Sequence, residues 1–262
     1  MAAVVMAFTA FCSWAWSQKG HDVTAYIAEQ HLTPATRAAV DSILEGRSMV
    51  YWANWLDNAS HQPEYAYTKT WHYRNVDAGD TYESAPANPA GDAVTAIKAQ
   101  IELLKDSVAP FERKQLAMKI LVHVMGDLHQ PMHMGHATDL GGNRIKMKFF
   151  DRDTNLHAIW DSSLPESAHK WSYTEWQQQI DRATPGQQAA AVAGSVDDWA
   201  RQTLRIAETC YIYFQPGNKV MYNDIARWTP TIEEQFLRGG LRLAHVLNSI
   251  YDPAYRADAA VR

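Results

Sequence analysis

The chain has 262 residues, 47% of them hydrophobic and 20% charged, and a formal net charge of −5. That composition excludes a disordered chain and supports a packed core, in one domain of ordinary to large size or two small ones. The acidic balance speaks against a basic groove of the usual nucleic-acid-binding kind, although bound metal ions can reverse a local field; eleven His and ten Trp are both high for this length.

In chain order, residues 2–11 form an apolar run, and Ser13-Trp14-Ala15 sets small residues at the −3 and −1 positions of a cut before Trp16. The expectation is an export signal over residues 1–15, although no Lys or Arg precedes the run, and a mature chain of 16–262 forming a single domain. The run is far short of the ~20 residues of a membrane span, so no stable membrane association is expected. A secreted or periplasmic location follows from the same reading. Cleavage there leaves Cys210 alone, and the mature chain then has no internal disulfide. Helical periodicity marks residues 21–31, 34–44, 93–105, 112–128, 197–214 and 232–251. Residues 79–89 read as a polar loop. Only 143–150, with Ile145, Met147 and Phe149 alternating, reads as a strand. The expected class is all-α in a single compact domain, with at most a short β-hairpin.

The densest chemical signal is HVMGDLHQPMH, residues 123–133. His123 and Asp127 are four apart and share a helix face. Pro131 ends the helix and lets His133 turn back toward that face. A second pair, His157 and Asp161 in NLHAIWD, has the same spacing. One such pair alone is more often a local ion pair or helix cap than a metal site. Two pairs with a third His behind a Pro make the imidazole and carboxylate set that zinc accepts. His129 points to the opposite helix side, and His31, His61, His136, His169 and His245 read as surface or satisfied structural residues. Upstream, Asp57 sits among aromatics in YWANWLDNAS, where a partly buried carboxylate favours a cation partner; His72 has a similar setting in TKTWHYRN. A capping Asp and a core His are the bland alternatives for these two.

Taken together, Trp16-x4-His21, Asp57, His72, His123-x3-Asp127-x5-His133 and His157-x3-Asp161 resemble the zinc-dependent single-strand-specific nucleases of the S1/P1 type. The resemblance runs from Trp16 to Asp161, with a helical continuation to about Tyr251, and fits a secreted bacterial member. It implies an all-α fold with three Zn²⁺ in a cleft. Asp57, His72, His123 and Asp127 would hold one zinc, and His133, His157 and Asp161 a second. The third would be held by the free amine and carbonyl of Trp16, by His21 and by a bridging Asp127. Asp57 is the expected catalytic residue, orienting the attacking water as well as binding metal. Asn143 of the GGN motif is the expected substrate contact, with Tyr73 and Asp77 as weaker base-binding candidates. The implied reaction is phosphodiester hydrolysis of single-stranded DNA and RNA to 5′-phosphate products, with removal of phosphate from 3′-nucleotides. No protein partner is expected.

The sequence also departs from that pattern. Fungal members place a basic residue where this chain has Ser60, which leaves Lys69 or Arg74 as substitutes for a charge near the phosphate. Two rival readings remain. One is a zinc-dependent phospholipase C, whose first His lies farther from its N-terminal Trp and whose last ligand is typically Glu. The other is a zinc-binding relative without activity.

Overall fold

The computed structural model describes residues 16–256. The expected export signal over 1–15, with Cys12, lies outside the described residues. The first helix, α1 (Gln18–Gln30), turns at His31 into α2 (Pro34–Ile43). Pro34 supplies a helix-ready φ, and the Thr33 hydroxyl accepts from the Thr36 N–H, so the start of α2 is encoded locally. Two short helices follow, α3 (Met49–Trp52) and α4 (Trp55–Ala59). The loop to residue 92 carries no strand and no helix beyond one 3-10 turn, in keeping with its Pro and Gly content. Its end is fixed by a capping box in which Asp92 and Thr95 bond each other's backbone and open α5 (Ala93–Lys105).

α6 (Phe111–Asp127) packs along α5 and buries Ile120, Val124 and Leu128 as its periodicity requires. A 3-10 turn, Pro131–Met134, leads to β1 (Lys146–Phe149) and β2 (Arg152–Asn155). These pair antiparallel, with Met147 and Phe149 inward. A hairpin alone does not describe the sheet: β3 (Lys219–Val220) adds to β1 in parallel. Two residues flanked by Gly217 and Asn218 give no periodic signal, which is why the sequence does not announce that strand.

Short helices α7 (Leu156–Ala158), α8 (Leu164–Ala168), α9 (Tyr173–Ile180) and α10 (Pro185–Val192) follow, with a π turn at Ile159–Ser163 between the first two. α11 (Val196–Tyr213) and α12 (Tyr222–Tyr251) complete the molecule. α12 starts ten residues before the expected 232, because the helix continues through Pro230. The anchor there is Trp228, which is buried against Phe214, Tyr213 and Trp160, while Pro230 itself faces solvent. Tertiary burial thus outweighs the roughly 3 kcal/mol that an internal proline costs. α12 lies along α1 as the central helix pair, and the mainly helical class expected from the sequence holds.

Candidate metal centre

α1, α4 and α6, the turn after α6 and the α7–π segment each deliver one or two polar side chains to a single buried focus. α6 contributes His123 and Asp127 from one stripe in its last turn, both wholly buried. Asp127 lies at the centre of the group. Its Oδ2 is 3.0 Å from His72 Nδ1 and 3.1 Å from His123 Nε2. Its Oδ1 is 3.2 Å from His133 Nδ1 and 3.5 Å from His21 Nε2. One carboxylate therefore faces four imidazoles, two on each oxygen.

The remaining candidates close around it. Asp57 Oδ1 lies 3.4 Å from His123 Nε2 and 3.8 Å from His72 Nδ1. His157 Nε2 is 3.2 Å from Asp161 Oδ2, and His133 Nε2 is 3.8 Å from Asp161 Oδ1. Among the described residues, three His/Asp groups bring one ligand atom from each member within 4.8 Å of the others. They are His21–Asp57–His123, His72–His123–Asp127 and His133–His157–Asp161. The last matches the second expected set. Asp57 converges with His21 as well as with His72 and His123, so the first and third expected sets interlock. His21 also stacks on His123 at 4.0 Å between ring centroids.

Trp16 is buried, with its indole edge-on to Phe236 and against Gly20. The adjacent Ser17 N–H donates to the Asp161 carbonyl at 2.9 Å. That carbonyl lies within the π turn, whose looser i→i+5 pattern is common at functional sites. The backbone next to Trp16 is thereby tied to a member of the His133–His157–Asp161 group.

Supporting contacts fix which nitrogen points inward. His123 Nδ1 donates to the Ala53 carbonyl and His157 Nδ1 to the Gly141 carbonyl, each at 2.7 Å. Both rings are thus held with Nε2 turned toward the neighbouring carboxylates, the arrangement that second-shell bonds impose on metal-binding histidines. The Gln130 amide donates to Asp161 Oδ1 while its carbonyl caps the Met132 N–H. Gln130 and Gly126 support the group and are passed over when residue types are read singly, although both lie inside HVMGDLHQPMH. A Cβ at Gly126 would stand 2.7 Å from His21 Nδ1, so only glycine lets α1 bring that ring against α6. At Gly141 φ is +62°, and a Cβ would meet the Met132 carbonyl at 2.5 Å.

The electrostatics fit a cation. Burial alone would lower His123, but the Asp127 and Asp57 carboxylates hold it well above its usual value. Burial would raise Asp127, yet the His123 and His133 imidazoles hold it well below the carboxylate range. His21 is lowered by burial and by its neighbour His123. Both nitrogens of His21 and His133, His72 Nε2, His157 Nε2, Asp57 Oδ1 and Asp127 Oδ1 are buried and lack a hydrogen bond of good geometry, although several face an opposite charge. Divalent cations would satisfy this donor set, which is the nitrogen and oxygen set zinc prefers.

The other sequence candidates lie outside these three groups. Asn143 is half-buried and donates to the Leu140 carbonyl, in the turn whose Gly141 carbonyl holds His157. Tyr73 is half-buried next to His72. Asp77 spends one carboxylate oxygen on the Thr138 N–H and hydroxyl, which lowers its pKa. Ser60 is buried and donates to the Asp57 carbonyl. Arg74 is held by Asp92 at 2.6 Å and by the Tyr82 carbonyl and ring, whereas Lys69 is exposed. His129 faces away from the centre into Arg242, as its helix side requires. His31, His136, His169 and His245 pair with Asp181, Asp139, Glu233 and Tyr255.

Residues 16–252 match the family model described as S1/P1 Nuclease. Endonuclease 4 of Arabidopsis thaliana is 26% identical to this chain over 90% of it and 89% of its own length. Nuclease P1 of Penicillium citrinum is 25% identical over 90% of this chain and 98% of its own. Nuclease S1 of Aspergillus oryzae is 31% identical over a shorter stretch, 60% of this chain and 56% of its own.

Proposed function

The chain belongs to the S1/P1 nuclease family, and on that premise we propose that it is a secreted zinc-dependent endonuclease. It hydrolyses phosphodiester bonds of single-stranded DNA and RNA to 5′-phosphate products and removes phosphate from 3′-nucleotides. The observation that carries this reading is the central Asp127, whose two oxygens each face two imidazoles. Such a carboxylate is built to bridge cations.

The ligand sets expected from the resemblance are retained. Asp57, His72, His123 and Asp127 would hold one zinc, and His133, His157 and Asp161 a second. His21, Asp127 and the amine and carbonyl of Trp16 would hold the third. Zinc in such sets supplies Lewis acidity toward phosphate oxygens and acidifies water near neutral pH. The three ligand carboxylates leave this centre net positive when loaded, which lets an acidic protein take a polyanion.

The protein's own groups then divide the work. Asp57 is the one ligand side chain with substantial exposure, 32% against 7% or less for the His and Asp side chains around it. Burial would raise its pKa, but the His123 and His21 imidazoles hold it below the usual carboxylate value. It therefore stays ionised at neutral pH and would accept a hydrogen bond from the attacking water, orienting it. Asn143 contacts the substrate from the turn that holds His157. With Arg74 committed to Asp92, charge neutralisation at the phosphate would rest on the metals, or on the exposed Lys69.

The cut before Trp16 is part of the same proposal. A freed α-amine has a pKa near ~7.7–8.0 and can bind zinc where a peptide nitrogen cannot. The test is to compare the full chain with one beginning at Trp16, measuring zinc per chain and turnover of single-stranded DNA, RNA, 3′-AMP and phosphatidylcholine. The chain beginning at Trp16 should hold about three zinc ions and cut the nucleic acids. The longer chain should hold the third weakly and be poorly active. Turnover of phosphatidylcholine alone, or zinc without any turnover, overturns the reading.

A further inference from the structure

The buried centre opens to solvent at Asp57, and the chain on either side of that residue is strongly aromatic. Tyr51 packs edge-on to Trp52 at 4.9 Å, Trp52 to Trp55 at 6.4 Å, and Trp55 to Tyr65 at 5.0 Å. Two residues on, Tyr67 packs on Trp71 at 5.2 Å, and Trp71 directly precedes His72. The band thus begins six residues before Asp57, reaches Trp55 two residues from it, and ends beside His72. Tyr51 and Tyr67 are 57% and 50% exposed, while Trp52, Trp55, Tyr65 and Trp71 are half-buried beneath them. The Trp71 ring is pinned by its N–H bond to the Ala90 carbonyl at 2.9 Å, so this face is preorganised. A groove of about 580 Å³ runs beside Tyr67 and Trp71.

Cations accompany the rings. Arg47 lies over Tyr51 at 4.7 Å, and Lys119 sits 3.6 Å from the Trp52 centroid and 5.7 Å from that of Trp55. Arg113 lines the groove, together with the acidic Glu102 and Asp106, and Glu64 stands beside Tyr65 and Tyr67. Lys119 is also on the α6 stripe of His123 and Asp127, one turn earlier, which aligns this positive edge with the metal centre. A core would need neither half-exposed tyrosines nor cations laid across their rings. Aromatic faces interleaved with Lys and Arg are the platform that single strands use, bases on the rings and phosphates on the cations.

We infer that the band from Tyr51 to Trp71 is a track that stacks the bases of a single strand flanking the phosphodiester held at Asp57. This rests on the nuclease reading above. The strand is bound by stacking, so recognition is tolerant of base identity, and a duplex with its bases paired inside has nothing to offer the rings.

The test uses Tyr51→Ala and Tyr67→Ala together, both exposed positions that the fold tolerates. It compares kcat/KM on a dT strand of about twelve nucleotides with that on a dinucleoside monophosphate. The ratio of the two should fall about tenfold or more, whereas Tyr222→Ala, an exposed aromatic outside the band, should leave it unchanged. In parallel, quenching of tryptophan fluorescence by a phosphorothioate dT strand measures binding without cleavage, and the double variant should bind about tenfold more weakly. An unaltered ratio with unaltered strand binding overturns the track. Loss of binding to phosphatidylcholine/phosphatidylglycerol vesicles with strand binding intact overturns it in favour of a lipid surface. If the unsubstituted protein cuts no nucleic acid, the nuclease reading fails by itself, and the quenching experiment still decides the track.

Discussion

Replacing Asp127 by Asn removes one charge and one ligand oxygen while preserving volume. The carboxylate is fully buried, and its two oxygens lie within 3.0–3.5 Å of four imidazole nitrogens. An amide keeps one oxygen and presents an N–H₂ to the other imidazole pair, so it cannot bridge. Removing one partner of a buried ionic group costs about 3–5 kcal/mol. In a chain of this size that lowers the melting temperature by about 10 °C or more. The metal count separates this role from ordinary destabilisation. If Asp127 serves two ions, Asp127→Asn should bring zinc from about three per chain to one or fewer, whereas Asp161→Asn should remove about one. Turnover of single-stranded DNA should fall by more than the ~100-fold that loss of a supporting second-shell contact costs. The assays are elemental analysis of dialysed protein, thermal unfolding and nuclease rate on the same samples. An Asp127→Asn protein that keeps its full zinc and near-normal turnover would refute the bridging role.

Other perturbations test the supports of the site. Gly141→Ala places a side chain at φ +62° and 2.5 Å from the Met132 carbonyl; it should cost about 2–4 kcal/mol and loosen His157, and a melting temperature within a degree of the parent would show that the turn is not constrained. Asp22 is pushed up to about 6 by burial, against a single hydrogen bond from Asn54 at 2.7 Å. In metal-free protein the folded state then binds more protons than the unfolded one between about pH 4 and 6, so this group lowers stability as pH rises through that window. Asp22→Asn removes the penalty and offers a donor to the otherwise unpaired Asn54 Oδ1. It should stabilise the metal-free chain at pH 7 by about 1 kcal/mol after allowing for partial exposure, with the gain fading below pH 4; chemical denaturation at both pH values decides it.

Much of the site was legible in the sequence for a definite reason. His123/Asp127 and His157/Asp161 are one helical turn apart, so local periodicity alone places each pair on one face. His133 was reachable because Pro131 must end the helix. The starts of α2, α5 and α11 follow from side-chain caps, and α6 from apolar spacing, all involving only near neighbours. The motif also contains Trp16, His21, Asp57 and His72, but spacing alone gives no reason for residues as far apart as His21 and Asp127, 106 positions, to meet.

Their meeting was decided by tertiary structure. His21 reaches Asp127 because α1 lies against α6 where Gly126 carries no side chain. His72 is held at the centre because the Arg74 N–H bonds the His133 carbonyl, joining two loops with no shared periodicity. α12 runs through Pro230 because Trp228 is buried among three aromatic rings. Arg74, a candidate for the phosphate's counter-charge, was captured instead by Asp92. Backbone preference acts over a few residues and is written in order along the chain. Side-chain convergence depends on which distant surfaces pack, and only the folded molecule sets that.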